Sequence, residues 1–402
     1  MNSEVMLLED RYHIAFGSKT PLVVERGKGV YVWDTSGRKY LDFTAGWAVT
    51  SLGHAHPAVV KAVREQAEKI MQNPDSGLTY SPARAELLRK LIRVTPENLH
   101  RFFFTNSGAE ANDAALKLAR KITGRKKIVS TLMSFHGRTI GTTSATGQAV
   151  QRDRYPVLVP HYEFIPFNDI AAAESVIDSA TAAVIVEPVQ GEGGIRVPAP
   201  GYLGGLETLC RNNGALLIVD EIQTGFWRTG PVFVSIASGV RPDFLTMAKG
   251  IAGGFPFGAV AVDRTIAAAI EPGDHGGTYC GNPLGCAAAA ATIGHLMSID
   301  TERSVLTNGA YLMERLKMLQ VRNPSVIKEV RGSGLLVAVE FSDPAYAALV
   351  RSIALAEGLI LNLKHGTIIR IFPPLTISRE EIDEGIKIFS EAVCNAIDGC
   401  PA

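Results

Sequence analysis

Lys249 stands directly after the apolar run Phe244–Met247 and Ala248, and Gly250, Gly253, Gly254 and Gly258 follow it in TMAKGIAGGFPFG. A lysine in such surroundings is rarely retained unless it is paired or used covalently. Desolvation lowers its pKa, and that yields the free amine which attacks an aldehyde to form a Schiff base. Upstream, ALLIVDE ends an apolar run on a carboxylate, Asp220, with Gln223 three residues further on. By itself such an aspartate reads as a helix cap or a solvated strand end. Beside a Schiff-base lysine it has another use. It would keep the ring nitrogen of a pyridine aldehyde protonated, and the ring would then take up the electrons of a carbanion formed on the substrate.

A phosphate on that ring needs a cradle. FFFTNSGAEANDAALKLARKI gives an apolar strand, a turn at Asn106-Ser107-Gly108 and then a helix with Ala114, Ala115, Leu118 and Ile122 on one face. The backbone N–H groups at that helix start, with the Ser107 hydroxyl, form an anion site, although Ser-Gly also opens many helices simply as a cap. Ser134-Phe135-His136-Gly137-Arg138-Thr139 offers a flat ring and a guanidinium in one turn. Phe135 could stack on the pyridine, or could be ordinary core. Arg370 lies among Ile368, Ile369 and Ile371, before Pro373-Pro374. A buried arginine must find a carboxylate, from the protein or from a ligand. VEPVQGEGG puts Glu187 at a strand end and Glu192 on a glycine-rich loop, where it can serve as a gate for Arg370.

The elements that would position these residues are short apolar runs alternating with amphipathic stretches, the pattern of a mostly parallel sheet flanked by helices. Expected strands are Lys127–Ser130, Ala182–Glu187, Ala215–Asp220, Phe244–Met247 and Gly258–Val262; expected helices include Ala109–Ile122 and Leu203–Asn212. Glu187, Asp220 and Lys249 fall at or just beyond strand ends, where ligands bind in open α/β sheets. Gly29–Asp34 and Lys39–Phe43 read as a hairpin turned at Thr35-Ser36-Gly37. From Ser298 on, helices mix with short strands at Gly334–Phe341, Leu359–Leu363 and Thr367–Phe372, as in a smaller α+β domain. The expected division is an N-terminal segment 1–46 packing with the small domain, a large cofactor-binding domain 47–297 and a small domain 298–402.

With 402 residues the chain is too long for a single ordinary core. Forty basic residues against forty acidic ones leave no net charge to attract nucleic acid or an anionic membrane. Cys210, Cys280, Cys286, Cys394 and Cys400 form no CxxC pair and have no histidine at zinc-ligand spacing, so free thiols and no metal are expected. The N-terminus lacks the apolar core of a signal peptide, and no run reaches membrane-spanning length. A cytoplasmic protein is the expectation.

In order and spacing, NSGAEAN, FHGRT, VEPVQGEGG, LLIVDEIQTG, AKGIAGGFPFGA, HGGTYCGNPLGC, VRGSGLL and IIRIFPPLTI resemble the class III aminotransferases of pyridoxal 5′-phosphate (PLP) fold type I. The resemblance runs from about Gly27 to about Phe389 and is nearest the acetylornithine, ornithine and 4-aminobutyrate branch. It implies that Lys249 carries the cofactor and Asp220 pairs with the pyridinium nitrogen. Gln223 would sit near the ring hydroxyl, while Ser107, Gly108 and Ala109 hold the phosphate. Phe135 would cover the ring, with His136 and Glu187 also at the cofactor. Thr278, in HGGTY, matches a threonine that reaches the phosphate of the neighbouring subunit, which implies a homodimer and leaves a tetramer open. Arg370 matches the arginine that takes the α-carboxylate of glutamate or 2-oxoglutarate, and Arg138 one that can take a second carboxylate. Glu192 matches the switch that masks Arg370.

Two departures concern the donor. Position 47 is Trp, where ornithine enzymes of this family carry a tyrosine and acetylornithine or 4-aminobutyrate enzymes an aliphatic residue; a bulky aromatic there is similar to amine-type ω-transaminases, some of which use pyruvate as acceptor. GFWRTG adds Phe226 and Trp227 where a small residue is usual, and core packing explains them equally well. The expected reaction is transfer of a terminal amino group from an ω-amino donor to 2-oxoglutarate in two half-reactions. Racemisation, epimerisation or amino migration on the same fold is the nearest alternative, and a non-catalytic PLP-binding module the alternative from another class.

Overall fold

In a computed structural model, which describes residues 2–399, the apolar runs become the middle of a seven-stranded sheet. Its order is Leu99–Thr105, Gly258–Asp263, Phe244–Met247, Leu216–Asp220, Thr181–Val186, Lys127–Thr131 and Tyr162–Ile165. Both faces of the sheet are covered, and this explains runs that are apolar throughout instead of alternating. Val184 and Val186 point into one core layer, while Ala183 and Ile185 point into the other with Ile128, Ile218 and Phe244. The helix Gly108–Thr123 closes this second layer with Ala111, Ala114, Ala115 and Leu118.

The five strands from Phe244–Met247 to Tyr162–Ile165 run parallel. Gly258–Asp263 is antiparallel to both its neighbours. The parallel register sets Val186 level with Val219 and Asp220 level with Thr246. Two carboxylates and an amine, from Glu187, Asp220 and Lys249, therefore emerge together at the carboxyl ends of adjacent strands.

Two smaller sheets flank this one. Ile327–Ser333, Leu336–Phe341, Ile368–Ile371 and Asn362–Lys364 pair antiparallel in that order. The expected hairpin forms between Tyr31–Asp34 and Lys39–Asp42, with Gly37 at φ +86° in its turn. A further strand, Val24–Lys28, extends it. The run expected as one strand at Leu359–Leu363 is divided. Leu359–Ile360 pairs in parallel with Lys39–Asp42, whereas Asn362–Lys364 joins the other sheet. Phe226 and Trp227 are buried, Phe226 edge-on to Phe233 at 5.2 Å, so they belong to the core. Cys210, Cys280, Cys286 and Cys394 are free; Cys400 lies outside the described residues. Among the described residues, no helix is long and apolar enough to cross a membrane, and no cluster of three or more His, Cys, Asp or Glu is arranged to hold a metal ion.

Candidate active site

A cavity of about 670 Å³ opens at the carboxyl ends of the parallel strands. Lys249 enters it from the first residue after Ala248 with φ +43°, a left-handed conformation that is costly for a side-chain-bearing residue. Gly253 and Gly254 follow at φ +58° and +114°, which accounts for the last two glycines of AKGIAGG. Burial lowers the Lys249 pKa, and Arg370 adds to this; the carboxylates of Glu192, Glu187 and Asp220 oppose it without cancelling it. The result is a lysine biased toward the neutral amine.

Asp220 is buried, and each of its oxygens is fixed. Oδ2 accepts from Asn112 Nδ2 at 2.7 Å and from His136 Nδ1 at 2.8 Å, while Oδ1 accepts from the Ile222 N–H at 3.0 Å. With only that one bond, Oδ1 has a lone pair to spare toward the cavity it lines. Asn112 is fully buried and also donates to the His136 carbonyl at 2.8 Å; its own Oδ1 accepts from the Thr246 hydroxyl at 2.7 Å. The neighbouring carboxylate, Glu221, is consumed by the protein: it accepts from Thr224, from the Val234 N–H and from both the N–H and hydroxyl of Ser235.

Glu187 ties two loops together. Its Oε2 accepts from the Phe135 N–H at 2.9 Å, and its Oε1 from the Gly191 N–H at 3.2 Å. Burial, helped by the nearby Asp220 charge and opposed by His136 and the two N–H donors, pushes its pKa up to about 7.

Ser107 caps the helix Gly108–Thr123. Its Oγ accepts from the Glu110 N–H at 3.2 Å, and Glu110 reaches back to the Asn106 N–H at 2.6 Å, a variant of the capping box. The Ser107 O–H proton remains available. So do the N–H groups of Gly108 and Ala109, since the first N–H groups of a helix have no partner within it. All three residues line the cavity. Gln223 lines it too, and neither its amide oxygen nor its nitrogen has a partner among the described residues; the same holds for the buried His136 Nε2.

Trp47, Phe135, His136, Arg138, Glu187 and Glu192 also line this cavity. Arg138 lies over the Phe135 ring, 5.3 Å from its centre. Arg370 is fully buried just behind Glu192, which it meets at 2.6 Å. Its Nε donates to Asn362 at 2.9 Å and its Nη1 also to the Gly191 carbonyl at 3.1 Å. Burial alone would raise the Glu192 pKa, but Arg370, Lys364 and Lys249 outweigh it and hold that carboxyl at about 2. Thr278 is set apart. It lies in a neighbouring recess with Ser76, Arg84 and His275, and its carbonyl accepts from Gln72 at 2.6 Å.

Sequence reasoning missed Asn112 and Lys364. Asn112 carried a signal, as a polar residue within the buried stripe Ala111, Ala115, Leu118 and Ala119. Lys364 carried none, because LNLKHG reads as a solvated turn.

The group that such a site would hold can be tested against these side chains. A helix start with available N–H groups, a carboxylate oxygen with a lone pair to spare, an unpartnered buried amide and a desolvated lysine face one cavity, and together they match a phosphorylated pyridine aldehyde. Comparison with known proteins agrees. Residues 14–393 match the family model described as aminotransferase class-III. The acetylornithine aminotransferase of Methanothermobacter thermautotrophicus is 42% identical over 98% of this chain and 99% of its own length. The [LysW]-aminoadipate semialdehyde transaminase of Deinococcus radiodurans is 38% identical over 98% of this chain and 91% of its own. Among solved structures, an ornithine aminotransferase from Toxoplasma gondii superposes with a TM-score of 0.94 at 32% identity, covering 99% of this chain and 95% of that one. The acetylornithine aminotransferase from Elizabethkingia anophelis gives 0.86, also at 32% identity, covering 98% of this chain and 99% of that one. The chain belongs to the class III aminotransferases and is, with them, a PLP-dependent transaminase of fold type I.

Proposed function

We propose that this transaminase moves the terminal amino group of an ω-amino acid, of the acetylornithine type, to 2-oxoglutarate in two half-reactions. The observation that carries the reading is the buried Glu192–Arg370 pair at 2.6 Å beside Lys249. A donor whose carboxylate lies far from its reacting amine needs no cation there, and the closed pair leaves none free. A 2-oxo acid presents a carboxylate next to the reacting carbonyl, and Arg370, once unmasked, is the fork that matches it; the second carboxylate of 2-oxoglutarate, which pyruvate lacks, has Arg138 in the same cavity.

When bound, PLP supplies an aldehyde that takes up the amine and a protonated ring that receives the electron pair left at the donor carbon. Lys249, its pKa lowered by burial, would hold the cofactor, and its Nζ would move the proton at the donor's reacting carbon. Asp220 Oδ1 would hold the ring nitrogen's proton, while Asn112 and His136 on Oδ2 fix the carboxylate's plane. Ser107, Gly108 and Ala109 would hold the phosphate, Gln223 would meet the ring hydroxyl and Phe135 would cover the ring. Thr278, outside its own chain's cavity, reaches the phosphate in a second copy, and a cytoplasmic homodimer is the assembly we assign. Segment 47–297 acts as the cofactor-binding domain and 298–402, with 1–46, as the part that brings Arg370.

The donor's far end meets an apolar wall of Trp47, Val49, Ile222, Phe255, Pro256 and Phe257, with Arg138 as the cation near it. A free α-ammonium would add a second positive charge beside that cation and against the apolar wall, whereas an acylated amine is neutral and leaves the α-carboxylate to Arg138. Nα-acetylornithine is therefore favoured over ornithine. Measuring kcat/KM for 2-oxoglutarate and for pyruvate with this donor tests the reading. A large preference for 2-oxoglutarate is expected, and equal use of pyruvate would overturn it.

A further inference from the structure

Glu192 is held by two cations, one on each oxygen. Arg370 Nη1 meets Oε1 at 2.6 Å, and Lys364 Nζ meets Oε2 at 2.8 Å. Lys364 belongs to the edge strand Asn362–Lys364, whose Asn362 lies level with Arg370 and accepts from its Nε. The next residue, His365, donates from Nε2 to the Glu192 carbonyl at 2.9 Å. One short strand thus grips the gate residue by side chain and backbone and steadies the arginine it masks.

We propose that Lys364 is the partner that holds the Glu192 carboxylate when Arg370 turns to an acceptor's carboxylate, which makes it a positioning residue specific to the dicarboxylate half-reaction. The inference rests on the reading of Arg370 given above.

Unmasking Arg370 takes away one partner of a buried carboxylate, and an uncompensated buried charge is strongly unfavourable. Because Lys364 uses the other oxygen, its bond does not depend on Arg370 staying in place. Charge balance points the same way. Glu192, Arg370 and Lys364 sum to one positive charge, so the cluster can accept one carboxylate without expelling Glu192. The groups facing Glu192 are Arg370 from the inner strand, Lys364 and His365 from the edge strand and its turn, and Lys249 from the loop after Phe244–Met247. Burial lowers the pKa of both His365 and Lys249, so neither is suited to replace the charge of Lys364. Without Lys364, an open gate leaves Glu192 with no fixed cation, and the carboxyl takes up a proton.

A lysine that merely locked the gate shut would act in the opposite sense, since its removal would ease opening and tighten diacid binding. Glutarate, a five-carbon diacid with no carbonyl to react, separates the two. It is titrated calorimetrically into the PLP-loaded enzyme near neutral pH, in two buffers of different ionisation enthalpy. For Lys364→Met, the dissociation constant should rise roughly tenfold or more, with uptake of about one proton per site on binding. Lys364→Arg should restore wild-type affinity with no proton uptake. In turnover, KM for 2-oxoglutarate should rise more than KM for the donor. Lys364→Gln serves as a second variant should Lys364→Met fold poorly. Unchanged or tighter glutarate binding without proton uptake overturns the proposal. Arg370→Met, measured alongside, keeps the two readings apart. If it binds glutarate as the wild type does, the assignment of Arg370 falls. If it loses binding while Lys364→Met retains it, the role of Lys364 alone is refuted.

Discussion

Glu187→Gln replaces a buried carboxyl by a neutral group of the same shape, and its consequence can be worked from the site. In the folded protein the Glu187 pKa stands near 7 against an ordinary 4.5, with burial as the largest cause. A carboxyl raised on folding binds its proton more tightly in the folded chain. Its contribution to stability is therefore full below pH 4.5 and is lost as pH climbs toward 7. At 1.36 kcal/mol per unit, this loss is on the order of 3 kcal/mol. The glutamine variant has no such proton to lose. Against that, its amide has one oxygen where Glu187 uses two, so either the Phe135 or the Gly191 N–H loses its acceptor, at about 1–3 kcal/mol independent of pH. The variant should be the less stable protein near pH 4.5 and should close or reverse the deficit by pH 8. Chemical denaturation of both proteins, stripped of cofactor and at one fixed concentration, gives the difference at each pH, and groups that titrate alike in both cancel. A stability difference that stays flat from pH 4.5 to 8 would refute the reasoning, because it would mean that Glu187 is ionised in the fold across the whole range.

Asp220→Asn should retain cofactor but lose the ring proton, and kcat should fall about a thousandfold, equivalent to about 4 kcal/mol of barrier; a variant keeping most of its activity would reduce Asp220 to a structural cap. Asn112→Ala leaves Asp220, the His136 carbonyl and the Thr246 hydroxyl each short of a partner. It should cost about 3 kcal/mol of stability and lower kcat, and equilibrium denaturation with steady-state rates will show whether both change. Trp47→Tyr should lower the ratio of kcat/KM for Nα-acetylornithine to that for ornithine, because the phenol offers a hydroxyl to ornithine's charged end. An unchanged ratio with altered stability would assign Trp47, about half exposed in the single chain, to packing against a second copy.

Much of the site was legible in the sequence because its residues sit at element ends, where composition changes abruptly. Asp220 closes LLIVD, Glu187 follows AAVIV, and Lys249 precedes a run of glycines. What stayed hidden depends on partners remote in sequence. Gly258–Asp263 reads like its parallel neighbours, since a strand buried on both faces is apolar in either orientation. The run at 359–363 is apolar but for Asn362, and nothing local reveals that its two halves join different sheets. Val24–Lys28 is polar and largely exposed, so no alternation marks it as a strand. Lys364 acquires its meaning only when the sheet sets it against Glu192, 172 residues earlier in the chain.

The central claim is that Lys249 is the lysine that holds the cofactor in this cavity. Borohydride reduction of the PLP-loaded enzyme, followed by proteolysis and mass spectrometry, tests it most directly. One modified peptide is expected, carrying the reduced pyridoxyl phosphate on Lys249, and no such peptide from Lys249→Ala treated in the same way. Stoichiometric label on a different lysine, or label that persists in Lys249→Ala, would contradict it.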